Sequence, residues 1–108
     1  MKERRAYQRV LSHLTAWYAG SSSMQNVTAR IVNLSPAGIC FVSDVPEKNG
    51  QQLAVTIELP GQEEIRLMVQ IVWTEQVQEN YQFGAKIIDI DIESEQKLLF
   101  FYTRQQNG

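Results

Sequence analysis

A chain of 108 residues, 44% hydrophobic and 20% charged, has room for one domain with a modest core. Its longest apolar runs are a few residues, too short to span a bilayer. It opens Met1-Lys2-Glu3-Arg4-Arg5, charged where a signal peptide needs an apolar segment, so a cytoplasmic protein without membrane insertion is expected. The net charge of −2 hides an asymmetry: residues 1–9 carry Lys2, Arg4, Arg5 and Arg9 against Glu3, so a basic tail precedes a body with five net negative charges. Such a body repels long nucleic acid, whose binding needs many phosphate contacts, whereas a small basic spot suits a small anion.

After Arg9 the chain falls into short apolar stretches separated by turn residues. Residues 14–18 are expected to form a first strand, ended by Gly20-Ser21-Ser22-Ser23. Val27, Ala29 and Ile31 alternate with Thr28, Arg30 and Val32, the period of two of a half-buried strand. Residues 33–38 interrupt it with Ser, Pro and Gly, and 38–43 resume as a third strand. Residues 44–50, with Pro46, Asn49 and Gly50, read as a loop. Leu53, Val55, Ile57 and Leu59 alternate through a fourth strand, and Pro60-Gly61 is a turn. Ile65, Leu67, Val69 and Ile71 share one face of a fifth strand ending at Trp73. Residues 75–80 are polar and turn-like, and 81–90 form a sixth strand.

The pattern then changes. Asp91 suits an N-cap, with Glu93 and Glu95 in the first turn and Arg104 near the C-terminus, where each charge complements the helix dipole. Leu98, Leu99 and Tyr102 fall at helical spacing, and Phe101 extends their apolar face. Six closely spaced strands and one helix predict a small antiparallel barrel or sandwich, with the helix laid over one mouth or seam.

Two segments carry chemistry. Arg5 and Arg9 form an RxxxR element with Arg4 in front, and Asn33-Leu34-Ser35-Pro36-Ala37-Gly38 fits [D/N]xSxxG. By itself, each has an ordinary explanation: solvated charge near a terminus, or a turn whose Asn or Ser bonds its own backbone. Together they are chemically complementary. A guanidinium meets guanine O6 and N7 with two parallel donors, grips phosphate in the same way, and stacks on a purine. It cannot accept from guanine N1–H and N2–H, which an Asn33 amide oxygen can. Ser35 offers a hydroxyl, and Gly38 lets backbone approach a ligand or take positive φ.

Other residues attract weaker readings. Trp73 is a core aromatic or cross-strand partner, or else a base-stacking wall. Arg30 is a solvent-facing strand charge, and Gly84 marks a bulge or a close backbone approach. Cys40, the single cysteine, sits in an apolar run and reads as a small buried side chain. With the lone His13 it cannot build a zinc site. His13 has no nucleophile–base partner nearby in the sequence, and no catalytic constellation marks an enzyme.

The paired motifs resemble the PilZ domain, a bacterial receptor module for cyclic di-GMP. The likeness covers nearly the whole chain: residues 3–10 look like the family's opening, 29–39 like its second strand and ligand turn, and 69–73 and 83–90 like its last strands. It implies a six-stranded antiparallel β-barrel with a C-terminal helix. The single domain would divide into a ligand-binding arm (1–10), the barrel (13–90) and the helix (92–105). It further implies that Arg5, Arg9, Asn33, Ser35 and Gly38 bind cyclic di-GMP. Arginine at position 4 implies two intercalated nucleotides, with no other cofactor and no metal. An arm that folds over the nucleotide would then signal to a separate effector protein. The alternatives are a PilZ-like protein-interaction module that binds no nucleotide, and an oligonucleotide-binding small barrel, which the acidic body disfavours.

Overall fold

The computed structural model describes residues 10–19, 26–61 and 63–107. Within them, six strands precede one helix: β1 (Val10–Ala19), β2 (Asn26–Leu34), β3 (Gly38–Ser43), β4 (Gln52–Leu59), β5 (Glu63–Val77), β6 (Asn80–Ile90) and α1 (Ile92–Asn107). All pairings are antiparallel, and the strands close in the order β1-β2-β3-β6-β5-β4, with β4 returning to β1. The expected barrel is the observed one; closure pairs every strand on both sides, while β5 past Gln70 runs on paired with β6 alone.

The alternating residues read from the sequence face inward. Ile31, Leu34, Ile39, Phe41, Val55, Ile57, Ile65, Val69, Ile71 and Phe83 are all at most 3% exposed and form one core. Phe41 packs on Phe83 with ring centroids 5.0 Å apart, and Tyr18 meets Phe41 edge-on at 5.6 Å.

Two boundaries differ from expectation. β1 begins at Val10, well before residue 14. β5 does not stop at Trp73 but continues to Val77, turning through Gln78 and Glu79 into β6. Residues 75–77 look turn-like because Glu75 and Gln76 are polar, but the strand there is exposed on both faces and needs no apolar alternation. The two-residue hairpin puts Gln78 at φ 58°, the positive value that the first central position of a tight hairpin turn demands.

α1 starts as its sequence suggests. Asp91 Oδ1 accepts from Ser94 N–H at 2.7 Å, the expected N-cap. Ser94 Oγ in turn accepts from Arg66 N–H at 3.0 Å, which ties the helix to β5. Leu98 is 1% exposed and enters the core, a burial that contributes about 2 kcal/mol. The helix sits at the barrel end where β1 begins, β2 turns into β3, and β4 turns into β5. No helix among the described residues is long and apolar enough to cross a membrane.

Candidate functional site

Arg4, Arg5 and Arg9 lie outside the described residues; Asn33, Ser35, Gly38 and Trp73 lie within them. The turn between β2 and β3 is held from inside. Ser35 is 1% exposed, and its Oγ accepts from the backbone N–H of Ala37 and of Gly38, both at 3.2 Å. The hydroxyl donates in return to the Gly38 carbonyl at 3.4 Å. Ser35 N–H donates to the same carbonyl at 2.9 Å, closing the loop. The Ser35 hydroxyl thus sets the shape of the turn, and Asn33 stands half-buried at its entrance.

Gly38 is glycine for a reason the sequence did not give. Its φ is not positive; a Cβ there would sit 2.6 Å from the Ala85 carbonyl oxygen. The close approach that glycine permits is to β6, and Ile87 N–H donates to Ala37 O at 2.9 Å beside it. The turn is pinned to the barrel wall on that side.

Cross-strand register then assembles a row on the outside of the barrel. Asn33 pairs with Cys40, Cys40 with Gly84, and Gly84 with Trp73, across β2, β3, β6 and β5. Ile39 and Phe41 point into the core, so the pleat turns Cys40 outward. It is buried all the same, and Gln82 Nε2 donates to its sulfur at 3.2 Å. Three strand spacings put Asn33 and Trp73 roughly 14 Å apart along the sheet.

Trp73 lies flat on Gly84: a Cβ on that glycine would fall 2.0 Å from the indole Nε1. The register shift between Ile71 and Trp73 brings the ring over its partner, and the side chain stays 39% exposed. Gly84 therefore marks both a bulge opposite it and a close approach, by a ring and not by backbone. Trp73 is thus a cross-strand partner that also exposes aromatic surface to solvent.

Sequence reasoning missed Lys86. It pairs with Gly38, and Gln70 stands beyond it, so an exposed ammonium flanks the turn one row from Trp73. Stepping by two from Gly84 along β6 would have found it. Arg30 is exposed on β2, as expected. It lines an open hollow of about 730 Å³ with His13, Thr28 and Asp44 on the outer face of β1 to β3, away from the 33–38 turn. No group of three or more His, Cys, Asp or Glu able to hold a metal occurs among the described residues.

The sequence matches the family model described as the PilZ domain over residues 3–104. No curated protein matches it in sequence. Among solved structures, it is similar to the inhibitor of motility MotI/DgrA from Bacillus subtilis, at 20% identity and a TM-score of 0.84, covering 98% of this chain and 53% of that one. It is similar to the PilZ domain of YcgR from Escherichia coli, solved with c-di-GMP, at 11% identity and a TM-score of 0.78, covering 97% and 93%. It is also similar to MrkH from K. pneumonia, at 12% identity and a TM-score of 0.77, covering 98% and 51%. The chain thus spans about half the length of MotI/DgrA and of MrkH, and at these identities the likeness speaks to fold.

Proposed function

The chain belongs to the PilZ domain family, and from that premise we propose that it is a receptor for cyclic di-GMP and not an enzyme. The observation that carries this reading is that residues 3–104, the matched span, hold both motifs intact, the second on the same outer row as a half-exposed tryptophan. That the similar YcgR domain was solved with c-di-GMP supports it.

Each side chain has a role that its chemistry allows. Arg5 and Arg9 clamp phosphate and the guanine O6/N7 edge with paired donors. Asn33 supplies an acceptor for guanine N1–H or N2–H. Ser35 and Gly38 hold the backbone of the turn in the shape the nucleotide meets, and Trp73 gives a base a surface to stack on. Lys86 adds a point charge beside the turn. Arg4 extends the cationic arm to a second, intercalated nucleotide. Ligand binding draws the arm across the 33–38 turn, and the reshaped surface signals to an effector protein.

Replacing Arg5 or Arg9 by Ala is expected to abolish cyclic di-GMP binding in titration calorimetry while circular dichroism and melting temperature stay at wild-type values. Wild-type affinity in either variant would overturn the assignment.

A further inference from the structure

Helix α1 buries Ser94, Leu98 and Tyr102 and turns a second apolar stripe to solvent. At 100° per residue, Ile92, Gln96, Leu99, Phe100 and Thr103 fall opposite the buried face. Ile92 is 74%, Leu99 41% and Phe100 64% exposed. Beside this stripe lies a groove of about 540 Å³ between α1 and the β4–β5 turn, lined by the apolar Pro60, Phe100 and Phe101 and by the charged Glu93, Lys97 and Arg104.

We propose that this face is a weak homodimer interface in which α1 packs antiparallel on α1 of a second copy, each Phe100 seating in the other's groove. The argument for a second copy is charge. Eleven residues separate Glu93 from Arg104, and about three helical turns bring them back within roughly 20° on one flank. The helix is acidic in its first turn and basic in its last. When two such helices run antiparallel, Glu93 of each meets Arg104 of the other, twice, around the same axis that brings the stripes together. Parallel pairing would set Glu93 against Glu93 and Arg104 against Arg104. In the single chain, Arg104 lies over its own Phe100 ring at 5.4 Å and Glu93 reaches Lys97 at 3.4 Å while remaining 80% exposed, so both stay accessible to a partner.

The size of the face sets the strength. A 16-residue helix is about 24 Å long and about 10 Å across, so its outer face offers a footprint on the order of 240 Å² per copy, small beside the roughly 800 Å² per partner of a standard interface. The pairing is therefore concentration-dependent, and none of the residues that form it lies on the 33–38 turn or the Trp73 row.

Sedimentation equilibrium of the whole chain without nucleotide, from about 10 µM to 1 mM, tests it. Wild type should shift from monomer to dimer across this range. Phe100→Glu and Arg104→Glu, both at exposed positions, should each weaken association at least tenfold with unchanged circular dichroism. Glu93→Arg alone should do the same. Mixing Glu93→Arg with Arg104→Glu should restore association, because both inter-copy pairs become opposite in charge. A monomer throughout would overturn the proposal and leave the face to a different protein. A dimer indifferent to Phe100→Glu, or a mixture no better than its parts, would overturn it as well.

Discussion

Phe41 and Phe83 point inward from β3 and β6; Cys40 and Gly84, one residue away on the same two strands, point outward. The inward pair is large and fills the core with rings 5.0 Å apart. The outward pair is small, and the space above Gly84 is taken by the flat ring of Trp73. The contrast teaches that one stretch of sheet does two jobs through its pleat: the inner face carries stability, and the outer face is cleared of bulk so that a planar group can lie on it. Substitutions on the two faces should therefore separate stability from binding.

The largest effect is expected inside. Phe41→Ala leaves a cavity against Tyr18 and Phe83 and should cost about 3–5 kcal/mol in denaturant titrations, a large share of what a domain of this size possesses. Gly38→Ala tests where the two faces meet. Its Cβ would press on the Ala85 carbonyl, which is backbone and cannot rotate away, so about 1–3 kcal/mol of stability and the nucleotide affinity should fall together. Trp73→Ala should split the two readouts. Affinity for cyclic di-GMP should drop roughly 5- to 150-fold, the loss of one stacking surface, with much less change in stability than at Phe41. Equal affinity in this variant would assign Trp73 to packing alone.

How much of this was legible in the sequence differs between the faces. The inner face was plain, because alternation of Ile, Leu, Val and Phe against polar residues is what a half-buried strand requires. The polar end of β5 was not, because a ribbon exposed on both sides has no alternation to show. The motif residues of the second segment are visible as a pattern, and the turn bond of Ser35 is one of its readings, but the reason for Gly38 is not. Gly38 reads as backbone room for a ligand or freedom for φ, and in the fold its missing Cβ makes room for β6. Which strands pair decides this, and pairing is a long-range fact that local spacing does not encode. The Asn33–Cys40–Gly84–Trp73 row was hidden for the same reason, since it brings together residues from four strands.

The smallest effect is at the opposite barrel end, where Tyr18 OH donates to Ser43 Oγ at 3.0 Å. Burial, outweighing that hydrogen bond and helped by Glu47 and Asp44, pushes the Tyr18 pKa above its usual 10.0. A raised pKa in the folded state means that this stabilisation is fully present below pH 10 and is lost as pH rises through the folded value. Stability measured from pH 9 upward should fall, and Tyr18→Phe should flatten that fall while costing about 1 kcal/mol at neutral pH through the lost hydrogen bond.

The central claim is that cyclic di-GMP sits on the outer wall between the 33–38 turn and Trp73, and nuclear magnetic resonance reads it residue by residue. Titrating the nucleotide into ¹⁵N-labelled chain should move the amides of Asn33, Ser35 and Gly38 and the Trp73 indole Nε1–H, identified against Trp73→Phe, and saturate near two nucleotides per chain. Amides across the inner row of Phe41 and Phe83 should move far less. An unchanged spectrum, or shifts that leave the turn and Trp73 untouched, would contradict it.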